Sequence, residues 1–145
     1  MSAQNVEIVR RCLHWRATRG LLVEDWEEWW DVDSDYYPIR KFPESRACHG
    51  REEIARFYET FRATWDRYES GTRSVLAVGD DRVFAHTHVR AEGRQSGLVL
   101  DGPLYHSVWL RHGRILRLED HLTLPKALFA LGLDAETLEA AGLRE

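Results

Sequence analysis

Near Ser70 the spacing of apolar residues changes from a helical period to a strand period, and this change restricts the folds open to the chain. Before it, apolar residues recur every three to four positions, as in amphipathic helices. After it, Val83, Ala85 and Val89 alternate with His86 and His88, as in a half-buried strand. Helices followed by a run of long antiparallel strands indicate an α+β fold in one domain spanning residues 1–145.

The same patterns predict the individual elements. We expect helices over residues 4–19, 23–30 and 51–66, and short C-terminal helices over 124–131 and 134–141. We expect strands over 34–39, 74–79, 83–91, 98–110 and 115–122, with a loop over 40–49 and a hairpin connection over 93–97. Asp101-Gly102-Pro103 predicts a bulge or bend, because proline cannot donate to a ladder. Trp26, Trp29, Trp30 and Trp65 lie on helical stripes and are expected in the core.

Composition excludes several classes of function. The net charge is −4, which argues against nucleic acid as a partner, since nucleic acid needs a basic face. No apolar run approaches membrane-spanning length, and the N-terminus lacks an apolar signal core. The two cysteines, Cys12 and Cys48, form neither a disulfide framework nor a CxxC motif, so a reduced, cytoplasmic protein is expected.

A polar residue interrupts the apolar face of each of the last two strands. Asp120 shares a face with Leu118 and its neighbours, and His106 shares a face with Leu104 and Val108. A three-residue loop, Arg111-His112-Gly113, would make His106 and Asp120 diagonal neighbours. That register sets the following pairs opposite each other: Val108 and Leu116, His106 and Leu118, Leu104 and Asp120.

A carboxylate and an imidazole in one apolar hollow are equipped for general acid–base chemistry. Burial raises the pKa of a carboxyl group, and a nearby imidazolium opposes that change. The alternative is a structural pair, because buried polar groups are hydrogen-bonded whatever their role. Both interpretations remain open at this point.

Four segments, NVEIVRR, DVDSDYYPI, GREEIARFYETF and VWLRHGRILRLEDHL, together resemble the SnoaL-like family over nearly the whole chain. That family belongs to the nuclear transport factor 2-like superfamily. The resemblance implies a cone-shaped, curved antiparallel sheet packed with N-terminal helices, also described as a cystatin-like α+β barrel. The superfamily includes polyketide cyclases, ketosteroid isomerases, limonene epoxide hydrolases, dehydratases and non-catalytic binding proteins, so the fold leaves the activity open.

The resemblance also assigns positions. Asp120 stands where SnoaL-like cyclases and limonene epoxide hydrolases carry a catalytic aspartate, and His106 stands near the oxyanion-hole aspartate of ketosteroid isomerases. Tyr36 and Tyr37 replace the base aspartate of those isomerases, and Leu13 replaces their oxyanion tyrosine. This chain is therefore unlike a ketosteroid isomerase.

Epoxide hydrolases carry an arginine and a second aspartate on a strand that here shows Thr87 and Val89. Their water-activating network is incomplete in this chain.

We expect Asp120 to move the proton and His106 to orient Asp120 or to stabilise an oxyanion. One tyrosine of the pair Tyr36 and Tyr37 is expected to donate to the substrate oxygen. The residues predicted to bind substrate are those expected near the apolar hollow that contains His106 and Asp120: Tyr36, Tyr37, Trp15, Leu104, Val108, Leu118, Thr87 and Val89.

These observations predict a cofactor-independent acid–base enzyme acting on a small apolar compound with a carbonyl or epoxide group. Its class would be cyclase, isomerase, dehydratase or hydrolase. The alternatives are a non-catalytic ligand-binding or accessory domain, and an interaction module that uses the outer face of the sheet.

The outer face carries its own pattern. His86, His88 and Glu92 spell HxHxxxE, but the alternation puts the histidines on the outer face, so no metal site is expected. Phe84, Tyr105 and Trp109 are expected on that face too, which predicts a homodimer through it.

Overall fold

The computed structural model describes residues 2–17, 26–39, 46–94, 97, 99–134 and 136, and these form an α+β architecture with a curved six-stranded sheet. The described helices are α1 (Ser2–Ala17), α2 (Gly50–Thr64) and α3 (Leu124–Ala130), with a 3₁₀ turn at Trp26–Trp29. The described strands are β1 (Trp30–Tyr37), β2 (Cys48–His49), β3 (Trp65–Val78), β4 (Arg82–Gly93), β5 (Val99–Arg111) and β6 (Arg114–His121). The predicted fold class is confirmed.

The strands follow the order β2-β1-β6-β5-β4-β3. Strands β3 to β6 form the expected antiparallel meander. Strand β1 departs from it, because it pairs with β6 in parallel. A parallel pair needs a long crossover, which the chain from α2 to β5 supplies. This pairing sets Tyr36 opposite Leu118, two residues before Asp120.

Helices α1 and α2 pack over the inner face of the sheet and form the main core. Val83 and Ala85 of β4, Val108 of β5 and Leu118 of β6 are fully buried there, together with Val9 of α1. Burying one such aliphatic side chain stabilises the fold by about 1.5–3 kcal/mol relative to exposing it. The inward alternation predicted for β4 and β5 is confirmed.

Helix α3 covers part of the outer face, which corrects an expectation from the sequence. Phe84 and Tyr105 are only 1% and 5% exposed, because they pack under Leu124 and Leu128. Ser107 Oγ, on the same face, donates a hydrogen bond to a main-chain oxygen of α3 at 2.7 Å. An apolar strand face shows only that something must cover it. Here the covering element is a helix of the same chain, so these two aromatic residues are not available to a second copy.

Several element boundaries were predicted wrongly. Trp65 opens β3, where it pairs with Gly93, instead of ending a helix. Trp30 opens β1, and part of the predicted loop over residues 40–49 forms β2. Leu122 lies past the end of β6 and is exposed. A short apolar run fits both the helical and the strand spacing, so pairing with a neighbouring strand decides which structure it forms. Trp29, Trp30 and Trp65 are buried as expected.

Of the bulge or bend predicted at Asp101-Gly102-Pro103, the bulge is absent from the pairing of β4 with β5. Pairing between β4 and β5 continues in register from Arg82 and Trp109 to Glu92 and Val99. Along β5, pairing with β6 extends only as far as Tyr105. Pro103 therefore lies where β5 has one neighbour instead of two. On the side of β5 without a neighbouring strand, the backbone groups make no ladder hydrogen bonds. The N–H that proline lacks is therefore tolerated there.

Some expectations fall outside the described residues, at least in part. They are the end of the first helix, the start of the helix over 23–30, the side chain of Trp26, the hairpin connection over 93–97 and the helix over 134–141. Among the helices that are described, none is both long and apolar enough to cross a membrane.

Candidate active site

The hairpin between β5 and β6 sets the register of the candidate site. Its turn contains two residues, His112 and Gly113, with φ angles of 53° and 74°. Two successive left-handed residues are typical of a type I′ hairpin turn. Arg111 pairs directly with Arg114, so the predicted three-residue loop is wrong.

A bulge in β6, just after the turn, also changes the predicted pairing of β5 with β6. Leu110 pairs with Ile115 and Trp109 with Arg117, so Leu116 is the extra residue. The predicted pairing of Val108 with Leu116 is therefore replaced by Val108 with Leu118. Beyond the bulge, the strand alternation that the sequence indicates for Leu118 and Asp120 is kept.

His106 and Asp120 consequently lie directly opposite each other instead of diagonally. His106 Nδ1 is 2.7 Å from Asp120 Oδ1. Tyr36 donates its hydroxyl hydrogen bond to the other carboxylate oxygen, Oδ2, at 2.5 Å. Thr87 Oγ1 lies 2.8 Å from His106 Nε2. These contacts form one continuous hydrogen-bonded chain, which we call the Tyr36–Thr87 chain.

The chemistry of the four groups assigns the protons. An ionised Asp120 carboxylate only accepts, so it takes hydrogen bonds from the Tyr36 hydroxyl and from His106 Nδ1–H. A neutral His106 then accepts at Nε2 from the Thr87 hydroxyl. Adding a proton to His106 would reverse that last bond and turn Thr87 into the acceptor. The chain thus accommodates either charge state of the imidazole by rotating one hydroxyl.

The four residues of the Tyr36–Thr87 chain differ in burial. Tyr36, Thr87 and His106 are each 1% exposed, whereas Asp120 is 7% exposed. The Tyr36 ring stacks on Tyr58, with centroids 5.3 Å apart. Hydrogen bonds in such low-dielectric surroundings are strong, and an unpaired group there is costly. The Asp120 side chain is itself only 3% exposed, against 1% for that of His106, so the chain comes nearest to the surface at Asp120 but stays largely buried there.

Strand β1, which carries Tyr36, is held in place at its other end by arginines. Arg111 donates to Asp31 through Nη2 at 2.7 Å and also to Asp33 at 3.1 Å. The hydrogen bond from Arg111 keeps the pKa of Asp31 below its ordinary value, despite an opposing effect of burial. Arg51 of α2 donates two hydrogen bonds to the main-chain oxygen of Trp30. These contacts tie β1 to the hairpin and to the helix layer.

A cleft of about 520 Å³ opens onto Asp120. We call it the Asp120 cleft, and its described lining comprises Tyr37, Pro38, Ile39, Glu119, Asp120, His121, Leu122 and Lys126. Its size suits a small molecule, since ligand sites typically measure about 300–1,000 Å³. The Glu119 carboxylate in this lining is already engaged by Arg117 at 2.7 Å and by His121 at 3.0 Å.

The other predicted binding residues separate into two groups. Leu104, Val108, Leu118, Thr87 and Val89 are buried on the inner face around the Tyr36–Thr87 chain. Trp15 is also buried, edge-on to Tyr58 with ring centroids 4.9 Å apart. It therefore belongs to the core and is not in the described lining of the Asp120 cleft.

Of the two adjacent tyrosines, Tyr36 points inward and Tyr37 lines the Asp120 cleft, where the Arg117 guanidinium lies 4.4 Å from its ring centroid.

Sequence reasoning missed Lys126 and His121 as lining residues. His121 follows Asp120 directly on β6, but Lys126 lies in the first turn of α3. No spacing in the sequence connects that turn to the strand, because the connection depends on how α3 folds back. The contact between Thr87 and His106 was also missed, although both residues had been placed on the inner face.

Metal ligation receives no support from the described residues, among which no group of three or more His, Cys, Asp or Glu side chains is arranged to hold an ion. His86 stacks on Tyr105 with centroids 4.8 Å apart, and His88 bonds Asp101 at 2.8 Å. Both histidines lie on the outer face, as the alternation predicted.

Comparison with known proteins agrees with this architecture. The sequence profile of the SnoaL-like domain matches residues 9–118, a stretch that ends two residues before Asp120. A search of curated proteins finds no significant match.

Three solved structures illustrate the likeness of fold. Bal32a, from a soil-derived mobile gene cassette, is 21% identical, with 83% of this chain and 89% of that chain covered and a TM-score of 0.73. A Jannaschia sp. CCS1 protein with a provisional assignment as a SnoaL-like polyketide cyclase is 18% identical, with coverage of 83% and 86% and a TM-score of 0.68. An NTF2-like protein from Burkholderia xenovorans LB400 is 13% identical, with coverage of 83% and 90% and a TM-score of 0.67.

The curved sheet, the helices over its inner face and these likenesses define a protein of the nuclear transport factor 2-like fold. Because the family profile covers most of its length, the chain belongs to the SnoaL-like family.

Proposed function

We propose that this protein is a cofactor-independent acid–base enzyme in which Asp120 transfers a proton to and from a small, largely apolar substrate. The substrate would carry a carbonyl or epoxide group and occupy the Asp120 cleft. The observation that carries the proposal is the Tyr36–Thr87 chain, because the Asp120 carboxylate inside it belongs to a residue that also lines a cleft. A structural relative provisionally assigned as a polyketide cyclase supports the same class of chemistry.

The roles of the residues follow from the contacts. Asp120 is the one member of the Tyr36–Thr87 chain in the described lining of the cleft, so its carboxylate is the group we assign to the substrate proton. His106 bonds Asp120 and Thr87 inside the core, which suits orientation of Asp120 and not contact with substrate. Tyr36 is likewise engaged by Asp120. Tyr37 is therefore the tyrosine we assign to the substrate oxygen.

The test uses 5-nitrobenzisoxazole, a small, flat, apolar compound that opens to a coloured phenolate when a base removes its carbon-bound proton. This reaction needs no cofactor. Since a positioned general base contributes about 10²–10⁴-fold to a rate, Asp120→Asn should slow the elimination by about a hundredfold or more. Asparagine keeps the size of the side chain and an acceptor oxygen, and circular dichroism would verify folding.

The matched control is Glu119→Gln, which neutralises the adjacent carboxylate in the lining of the same cleft. It should leave the rate close to that of the unmodified protein. Equal rates for the unmodified protein and Asp120→Asn would exclude Asp120 as the base. A loss caused by Glu119→Gln alone would transfer that role to Glu119.

A second candidate function is non-catalytic ligand binding, and one observation favours it. Both oxygens of Asp120 already have partners, and three members of the Tyr36–Thr87 chain are almost fully buried. A satisfied buried network stabilises and specifies a core without doing chemistry. Under this alternative, Asp120→Asn would lower the midpoint of unfolding while the elimination rate stayed unchanged.

A further inference from the structure

A second cleft, of about 600 Å³, lies between β2 and the first turns of α2. Residues 46–48 form one wall. The other wall is one face of α2, with positions spaced i, i+3, i+4 and i+7: Glu53, Arg56, Phe57 and Thr60. Gly50, with a φ of 84°, reverses the chain between the two walls. We call this the α2 cleft. The described linings of the two clefts share no residue.

Two apolar side chains of the described lining of the α2 cleft, Phe57 and Cys48, are at least partly buried. Phe57 packs against Tyr36, with ring centroids 5.4 Å apart, and stacks on Phe61 at 5.7 Å. Cys48 lies beside it and is buried. Burial raises the pKa of the Cys48 thiol to about 11, so at neutral pH it is an uncharged group of modest size and not a nucleophile.

The rim of the α2 cleft carries two guanidinium groups. Arg46 and Arg56 are both exposed. Within the described part of the chain, no hydrogen bond or ion pair occupies either guanidinium. Glu53 is the third charged residue in the described lining, and its Oε1 accepts a hydrogen bond from the main-chain N–H of His49 at 3.4 Å. The described lining therefore has two positive charges and one negative charge in a chain whose net charge is −4.

We propose that the α2 cleft binds a small organic anion. Its flat apolar body would lie on Phe57 and Cys48, and its carboxylate or sulfonate would lie between Arg46 and Arg56. The planar fork of a guanidinium matches two oxygens of such a group, and these charge-assisted bonds are the strong ones. The volume is within the range of small-molecule sites. This binding does not depend on proton transfer at Asp120.

Two fluorescent probes that differ by one sulfonate test the proposal: 8-anilinonaphthalene-1-sulfonate and N-phenyl-1-naphthylamine. The double variant Arg46→Gln/Arg56→Gln should raise the Kd of the sulfonate probe by on the order of tenfold or more, since hydrogen bonds to charged groups are worth about 1.5–3 kcal/mol each. The Kd of the neutral probe should stay the same. Both arginines are exposed, so the fold should survive.

Two controls locate the effect. Arg67→Gln/Arg73→Gln removes the same charge from exposed positions on β3 and should leave both Kd values unchanged. Lys126→Gln removes a cation from the Asp120 cleft and should also have no effect. The proposal is overturned if the sulfonate probe fails to bind, if Arg46→Gln/Arg56→Gln binds it normally, or if either control weakens it equally.

Discussion

Thr87 is the residue that most clearly depends on its surroundings for a role. In the sequence it is one more inward position of an alternating strand. In the fold its hydroxyl is 2.8 Å from Nε2 of His106, whose other ring nitrogen bonds Asp120. A hydrogen bond at one imidazole nitrogen determines the tautomer at the other. The Asp120 carboxylate only accepts, so it holds the proton of His106 on Nδ1, and the Thr87 hydroxyl supplies the hydrogen bond at Nε2.

Replacing Thr87 with valine should lower the free energy of unfolding by about 1–3 kcal/mol, because it leaves Nε2 of His106 buried without its partner. Valine has nearly the same shape as threonine, so packing is preserved. Urea denaturation would measure the change, and the ¹⁵N shift of His106 Nε2 would show the loss of its hydrogen bond while Asp120 keeps the proton on Nδ1.

Thr87→Ser is the matched variant, since it keeps the hydroxyl and removes one methyl group. It should cost only about 0.8 kcal/mol, the value of one buried methylene-sized group, and it should keep the hydrogen bond at Nε2 of His106. If valine and serine had equal effects on both measurements, the hydrogen bond to His106 would have no such role.

At the scale of the element, the hairpin between β5 and β6 decides the site. The left-handed turn at His112 and Gly113 and the bulge at Leu116 together set Asp120 opposite His106. A one-residue change of register would send every following side chain to the other face of the sheet. The bulge and the turn therefore matter to the site although neither contacts it.

Gly113→Ala should destabilise the protein by about 1–2 kcal/mol, the cost of a left-handed conformation for a residue with a Cβ. Steric conflict is a minor cause, because the nearest atom to the added carbon would be the flexible side chain of Gln4, 3.5 Å away. Thermal or urea unfolding would measure the loss.

The comparison residue is Gly102, which lies in β5 with open space where a Cβ would be added and without a left-handed φ. Gly102→Ala should be neutral or stabilising by about 0.4–1 kcal/mol, through a smaller entropy of the unfolded chain. Equal losses at both positions would contradict the assignment of a type I′ turn.

At the scale of the whole molecule, the homodimer stays a prediction. The part of the outer sheet face that could form its interface is smaller than the sequence indicates. Helix α3 covers Phe84 and Tyr105, so among the described residues the part of the outer face around His88, whose side chain is 40% exposed, remains for a second copy. His88→Glu would place a negative charge beside Asp101, 2.8 Å from the histidine in the present structure. Near a two-fold axis that charge would also face its own copy, so the dimer should weaken.

Sedimentation velocity at micromolar concentration would measure the effect. Arg10→Gln is the matched control, because it makes the same change of charge on the exposed side of α1. It should leave the dimer intact. A monomer for the unmodified protein, or equal weakening by both variants, would contradict dimerisation through the outer face.

Apart from β2 and the 3₁₀ turn, the sequence by itself determined the order of the described helices and strands, the inward face of β4 and β5, and the presence of His106 and Asp120 on adjacent apolar faces. These are properties of hydrophobic period, which is local and carries through to burial. The segments that resemble the SnoaL-like family added the cone-shaped sheet.

Only the tertiary structure decided how those faces are closed and which atoms meet. The parallel pairing of β1 with β6 brought the Tyr36 hydroxyl to Asp120, and the return of α3 over the outer face covered Phe84 and brought Lys126 to the cleft. Such contacts join residues far apart along the chain, and the free energy that selects them comes from packing between elements. No pattern inside one element contains that information.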